Sequence, residues 1–386
     1  MNSLIPPLDI IPVFGFSSLD KMEIPSMNKI IVFEDKNDRR NDLVRRLKRL
    51  LKDEVEISSI DGRGEQEKKK TYEAQLEEIL REQAPDGALI VCDKDLSDLG
   101  ERFIGLSGTM VAAVADTLGF PLCLYARGEG EPAGEELLKS LAPWEKKRIL
   151  LEFSSEEGLA NECACIFRAF AKIEEIYPKI PKESRATPAA ALASILGHPG
   201  IEDRVALYGS GEQGFLEEIM PFRRDKAEET TKELTKRMPR ILGNWLYTSL
   251  LRFPGILVSE IPAASFLNID PSDFSNPEIQ GIFKEARYDG PFSDLHKWWW
   301  RHKLEELFNE NGCKDGLALA NAKGFPVQKC DDPQSGERAG YYCMVTRQPV
   351  SDSNSKGEIS WFPAGADLSR IRLDVFNELA PWVGLY

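Results

Sequence analysis

Short apolar runs alternate with longer amphipathic ones over the first 155 residues. Lys29–Phe33, Val55–Ile60, Ala88–Cys92, Pro121–Tyr125 and Arg148–Phe153 have the length and composition of strands. Between them Asp38–Leu51 carries Leu43, Leu47, Leu50 and Leu51 at helical spacing, and Glu65–Gln83 carries Tyr72, Leu76 and Ile79 on one face. Met110–Leu118 and Glu135–Leu141 complete the helices. Strands separated in this way need crossover connections, so they form a parallel sheet with helices on both faces. Residues 28–155 are therefore expected to be a doubly wound α/β domain with a five-stranded parallel sheet.

The pattern changes beyond it. Residues 1–27 are a Pro-rich extension, and 156–186 are expected to be a linker built on a helix, Leu159–Tyr177, that stops before Pro178 and Pro181. Residues 187–311 predict a mainly α-helical domain: Thr187–Leu196, Phe215–Met220, Trp245–Leu251 up to Pro254-Gly255, Ile256–Phe266, Pro277–Ala286 and Leu295–Phe308, with one strand-like run at Val205–Tyr208. After Gly312 short runs at Tyr341–Thr346 and Glu358–Phe362 and a last helix, Ala366–Leu379, predict a small loop-rich α+β module over 312–386. No repeat of solenoid length is present.

Composition narrows the function classes. A chain of 386 residues with 42% apolar residues can bury two or three domain cores. A net charge of −14 works against attraction to phosphate backbones. Two basic clusters, Arg39 to Arg49 and Arg223 to Arg240, are expected to be solvated helix faces, with a local nucleic-acid face as the alternative. The apolar opening Leu4–Phe16 is broken by prolines and lacks a basic lead, and no other run has membrane-spanning length. Seven cysteines without framework spacing fit reduced thiols, so a cytoplasmic location is expected.

Candidate chemistry begins at the strand ends. The first strand runs into Glu34-Asp35 and the third into Asp93. In a doubly wound sheet the C-terminal strand edges carry the ligand site, so the three acids should converge. With these residues the segment resembles the receiver domain of bacterial response regulators, a flavodoxin-like fold. The resemblance implies an acidic pocket in which Glu34 and Asp35 would hold magnesium and Asp93 would accept a phosphoryl group. It also implies a degraded site. Tyr125 stands where the family has Ser or Thr after strand four, and Glu152 where it has Lys after strand five. The chain is then a pseudo-receiver that has lost phosphotransfer. The plainer alternative is three solvated acids at strand ends.

Four other groups stand out. Gly209-Ser210-Gly211-Glu212-Gln213-Gly214 spells a phosphate-cradling pattern, but without an acidic second strand it is expected to be a Gly-rich turn. Cys313, Cys330 and Cys343, with His302 or His296, are candidate ligands of a structural zinc ion, against reduced unliganded thiols. Trp298, Trp299 and Trp300 on a helix could not share one face, so an interface there, with the Tyr288 to Phe292 turn, competes with burial in a core. Ile256–Ile269, with Glu260, Ala263, Ala264 and Leu267, has helix-turn-helix spacing. No hydrolase, zincin or P-loop motif is present. The expectation is a non-catalytic regulatory or adaptor protein acting through protein contacts or self-association, by analogy with bacterial signalling or antiviral-defence architectures. The rivals are a DNA-binding transcriptional regulator and a metal-dependent, nuclease-like enzyme.

Overall fold

The computed structural model describes residues 27–64, 70–127, 141, 148–209 and 227–383. Its first half is built on β1 (Lys29–Phe33), β2 (Glu56–Ile60), β3 (Leu89–Asp93), β4 (Leu122–Ala126) and β5 (Ile149–Glu152). These form one all-parallel sheet in the order β2-β1-β3-β4-β5. Every residue of β1 and β3 is buried, as central strands covered on both faces require. Strand alternation divides β1 between two cores. Ile30 and Val32 pack with Leu43 and Leu47 of α1 (Asn37–Leu51) and with α4 (Glu156–Ile176). Ile31 and Phe33 pack with Leu76 and Leu80 of α2 (Tyr72–Gln83) and with α3 (Gly108–Leu118). The domain is doubly wound α/β, as expected.

Local signals set the helix ends. The side chains of Thr71, Ser107 and Ser155 accept from the amides of Ala74, Met110 and Gly158 at the N-termini of α2, α3 and α4. Gly119, at φ 67°, closes α3 in the left-handed conformation. Residues 1–26, the start of the helix expected from Glu65 (65–69), the helix at Glu135–Leu141 except Leu141 itself, the run Phe215–Met220, Arg223 and Arg224, and Ser210–Gly214 of the Gly-rich motif lie outside the described residues.

Helix α4 is a core element and not a free linker. Leu159, Cys163, Ile166 and Phe170 are buried in the first core, and Arg168 donates to the Leu50 carbonyl at 2.8 Å. Its far side meets α7 (Ala227–Trp245) so closely that a Cβ on Gly243 would lie 2.6 Å from the Phe170 ring. In the sequence between α4 and α7 come α5 (Pro188–Ile195) and α6 (Glu202–Ala206). Val205 belongs to α6, so the strand expected at Val205–Tyr208 is absent and the Gly-rich motif follows a helix.

In the second half β6 (Leu257–Ser259) pairs antiparallel with β7 (Trp298–Trp300). Around this ribbon lie α8 (Glu260–Leu267), α9 (Pro271–Phe274), α10 (Pro277–Ile282), α11 (Arg301–Glu310) and α12 (Gly316–Ala322). A mixed sheet of β8 (Tyr341–Cys343), β9 (Pro349–Val350), β10 (Ser355–Lys356) and β11 (Ser369–Arg372) follows, in the order β10-β11-β8-β9, then α13 (Leu373–Val383). The helix expected at Ala366–Leu379 is thus strand β11 and the first part of α13. One apolar cluster joins Val258, Leu304, Leu319 and Leu368, so the core crosses the boundary expected at 311/312.

Two expectations change here. Trp298, Trp299 and Trp300 form a strand, not a helical turn, and are 3%, 1% and 3% exposed. Alternation sends Trp298 and Trp300 into the first core and Trp299 into the cluster around Phe274 and Leu304. The triplet is therefore core and not an interface, and Tyr288 and Phe292 are buried with it. In the helix-turn-helix candidate, Ala263, Ala264 and Leu267 of α8 are buried, and only Ser259, Glu260, Ile261 and Phe266 are half-exposed. No face of α8 is free to enter a DNA groove.

Asp332 organises the C-terminal loops. Buried, it accepts from the amides of Gln334 and Ser351 and from the Ser351 hydroxyl and the Asn354 amide. These donors outweigh burial and hold its carboxyl down at about 2.

Two predictions follow from the packing. Trp299→Ala should cost about 3–5 kcal/mol in chemical denaturation while leaving self-association unchanged; lost association at unchanged stability would restore the interface reading. Glu174 of α4 and Arg240 of α7 form a buried ion pair at 2.7 Å. Glu174→Ala should cost about 3–5 kcal/mol by leaving Arg240 unpaired, and the double change Glu174→Leu, Arg240→Met should recover most of it. Equal losses in the single and double variants would show that the loss comes from the pair's bonds to the Met27 amide and the Asp86 carbonyl and not from an unpaired charge.

Candidate functional site

The winding of the sheet reverses between β1 and β3, because β2 lies to one side of β1 and β4 and β5 lie beyond β3. The crevice at their C-terminal ends is the place where doubly wound sheets bind ligands. Glu34, one residue past β1, and Asp93, the last residue of β3, meet there, and both are buried. Tyr125 enters from β4, fully buried, and its hydroxyl donates to Glu34 Oε2 at 3.0 Å. The Lys36 amide donates to Glu34 Oε1 at 3.1 Å.

A cation already sits among these acids. Arg127, one residue past β4, donates from Nε to Glu34 Oε2 at 3.1 Å and lies 3.8 Å from Asp93 Oδ2. Its two terminal nitrogens engage Glu156, the first residue of α4, one of them at 3.1 Å. The guanidinium also lies over the rings of Tyr125 and Phe153, at 5.4 and 4.7 Å from their centroids. Glu34 thus receives three donors, and its neighbour Asp35 is engaged by Lys36 Nζ at 3.4 Å.

The charge balance explains the protonation. Burial pushes the Asp93 carboxyl up to about 6, the charges of Glu34 and Asp35 adding to it, while the Asp95 amide and Arg127 oppose it. The Tyr125 phenol is likewise driven upward by burial and then by Glu34. One guanidinium is shared among Glu34, Asp93 and Glu156, and Asp93 lies farthest from it, at 3.8 Å.

The structure brings together two of the three sequence-predicted acids. Glu34 and Asp93 come together, Tyr125 joins them, and Asp35 turns to Lys36. The magnesium expected between the acids meets a different arrangement, since Arg127 occupies their shared side. Glu152 does not face Asp93; it pairs with Arg347 of the β8–β9 turn, one bond at 2.9 Å, and this partner lowers its pKa against the effect of burial. Arg127 was missed because family comparison looks for the cation after β5. The available signal was a lone arginine two residues beyond Tyr125, at the sheet edge that carries the acids.

The zinc candidates are not assembled. The Cys343 thiol accepts from the amides of Thr346 and Arg372 at 3.4 and 3.3 Å. Cys313 directs its thiol to the Asn311 carbonyl at 3.6 Å. Burial, with Asp270 nearby, pushes the Cys330 thiol up to about 12, unlike a zinc-bound thiolate. His302 packs on His198 and Trp300, and His296 on Trp298. Among the described residues no three His, Cys, Asp or Glu side chains are grouped to hold a metal ion, and no helix is long and apolar enough to cross a membrane.

No protein-family model matches the sequence, and no curated protein or solved structure is significantly similar to it.

The raised Asp93 pKa has a defined pH signature. Its stabilising share is fully present below the unfolded value of about 3.9 and is lost as pH rises through about 6. Asp93→Asn, which keeps an acceptor for the Asp95 amide, should therefore gain on wild type by on the order of 2 kcal/mol between pH 4 and pH 7.5. Denaturant midpoints at the two pH values measure it, and a constant difference between the proteins would contradict the buried, proton-holding carboxyl.

Proposed function

We propose that this chain is a non-catalytic regulatory or adaptor protein of a prokaryotic signalling or antiviral-defence system, built around a receiver-type, flavodoxin-like domain. Its receiver site is occupied from within. The carrying observation is the Arg127 guanidinium held by Glu34, Asp93 and Glu156 at the switch point of the sheet. A strand order of 2-1-3-4-5 is that of flavodoxin-like proteins, which supports the domain reading.

The pocket's chemistry argues against phosphotransfer. A divalent cation bound between Glu34 and Asp93 would face a guanidinium at hydrogen-bond distance from Glu34, and two like charges repel strongly in a buried site. With the switch fixed in one state, information passes through protein contacts.

Incubation with acetyl phosphate and magnesium, followed by intact mass measurement, tests the reading. Wild type should keep its unmodified mass. A stable phosphoryl adduct that disappears in Asp93→Asn would overturn the proposal.

A further inference from the structure

Two of the chain's three histidines meet over one tryptophan, far from the acidic crevice. His198 lies in the turn after α5, its amide bonded to the Ala193 carbonyl at 2.9 Å and its carbonyl accepting from Ile201 at 3.1 Å. Trp300 ends β7 and His302 is the second residue of α11. The ring centroids are 5.0 Å apart between His198 and His302, 5.4 Å between His198 and Trp300, and 5.6 Å between Trp300 and His302. The two imidazoles stand edge to face at 87°. Tyr288 closes the far side of Trp300, edge-on at 5.6 Å.

We propose that these three rings form a proton-operated clasp, which holds the α5–α6 turn on the β7–α11 corner while the His302 imidazole is neutral and loosens when it charges. The geometry carries the inference. His302 Nδ1 is buried and has no hydrogen-bond partner. A neutral imidazole can present a bare nitrogen there, with its proton on Nε2. Protonation would place an N–H at that position with no acceptor, the costly form of a buried polar group.

The surrounding charges act mostly in the same direction. From the α5–α6 turn His198 faces His302, from α6 Arg204, and from α11 Lys303 and Glu306. Burial lowers the His302 pKa, His198, Arg204 and Lys303 add to the effect, and Glu306 opposes it. Trp300 can stabilise one imidazolium through its ring face, but it touches both histidines, and two imidazoliums at this separation repel. The sign follows: the His302 contribution is present above the unfolded value of about 6.5 and is lost as pH falls below it, toward the lower folded value.

Opening has a defined lever. His198 sits between α5, whose Ala191, Leu192 and Ile195 are buried in the first core, and α6, which leads to the exposed Leu207. Tyr208 is fixed separately by its hydroxyl, which donates to the Phe253 carbonyl and accepts from the Ile256 amide. Release at His198 therefore loosens the turn from Gly197 to Gly200, while Ile201 and Val205 stay packed in the first core.

Hydrogen exchange of the full chain at pH 7.5 and 5.5, corrected for intrinsic rates, tests the clasp. Protection of the turn amides over residues 197–201 should fall roughly threefold or more at the lower pH in wild type, and remain level in His302→Phe, which keeps an aromatic ring without a titrating nitrogen. Equal pH dependence in both proteins would overturn the proposal. Should the variant fold poorly, proton NMR titration of wild type decides alone, because a His302 resonance titrating at or above the free-histidine value is incompatible with the clasp.

Discussion

The two halves of the molecule are held in register by the buried pair of Glu174 and Arg240. Glu174 also accepts from the Met27 amide at 2.5 Å, and Arg240 also donates to the Asp86 carbonyl. Four separate segments, the chain entering β1, the α2–β3 turn, α4 and α7, therefore meet at one ion pair. Such a pair need not add net stability, because desolvation opposes the attraction. It does fix geometry, since any shift of α7 along α4 strands two buried charges. Gly87, at φ 99°, is part of the same constraint: a Cβ there would lie 2.0 Å from the Arg240 guanidinium. Arg237 repeats the device one helical turn earlier, donating to the Asp116 carbonyl at 2.8 Å beside Gly119. Two arginines of α7 thus cover carbonyls at or just past the C-terminal ends of α2 and α3, where helix dipoles favour cations.

The consequence is an asymmetric sheet. Those turns lead into β3 and β4, so α7 closes the N-terminal edge and leaves the ligand-binding C-terminal edge to its own side chains. There the same chemistry recurs on a smaller scale, with Arg127 among carboxylates. An arginine suits this position better than a metal, because its planar fork engages Glu156 and Glu34 together while its faces pack on Tyr125 and Phe153. The crevice thereby joins β1, β3, β4 and α4 through side chains alone.

The sequence announced the sheet and half of this joint. Five apolar runs separated by amphipathic ones leave one economical topology, and Glu34 and Asp93 fall at its C-terminal edge by counting alone. Arg127 could not be placed in the same way, since residues past a strand end follow no period and the direction of a long side chain is settled by its tertiary partners. Periodicity misled at Trp298–Trp300, where the amphipathic continuation into Leu304 and Leu307 drew the helix start too early. The aromatic run after the Gly290-Pro291 turn was the opposing signal, because large aromatic residues favour strands packed on both sides. The cysteines were spaced loosely enough to suggest zinc, but each is satisfied within its own loop or core, which no spacing rule detects.

Glu152 ties the end of β5 to the C-terminal half. Its pairing with Arg347 spans the two halves, and Arg347 adopts φ 57°, a conformation that non-glycine residues usually avoid. The ion pair is too exposed to drive that strain, because such pairs contribute about 0–1 kcal/mol. The turn forms for its own reasons. Cys343 and Gln348 close the β8–β9 hairpin by a backbone bond of 2.9 Å, Arg347 donates to the Cys343 carbonyl at 2.9 Å, and the Thr346 amide reaches the Cys343 thiol. A loop of this length ends naturally in a left-handed residue. Arg347 is thus presented to Glu152 by the hairpin, and the carboxylate that would have repelled a phosphoryl group instead marks where the C-terminal sheet meets the doubly wound domain.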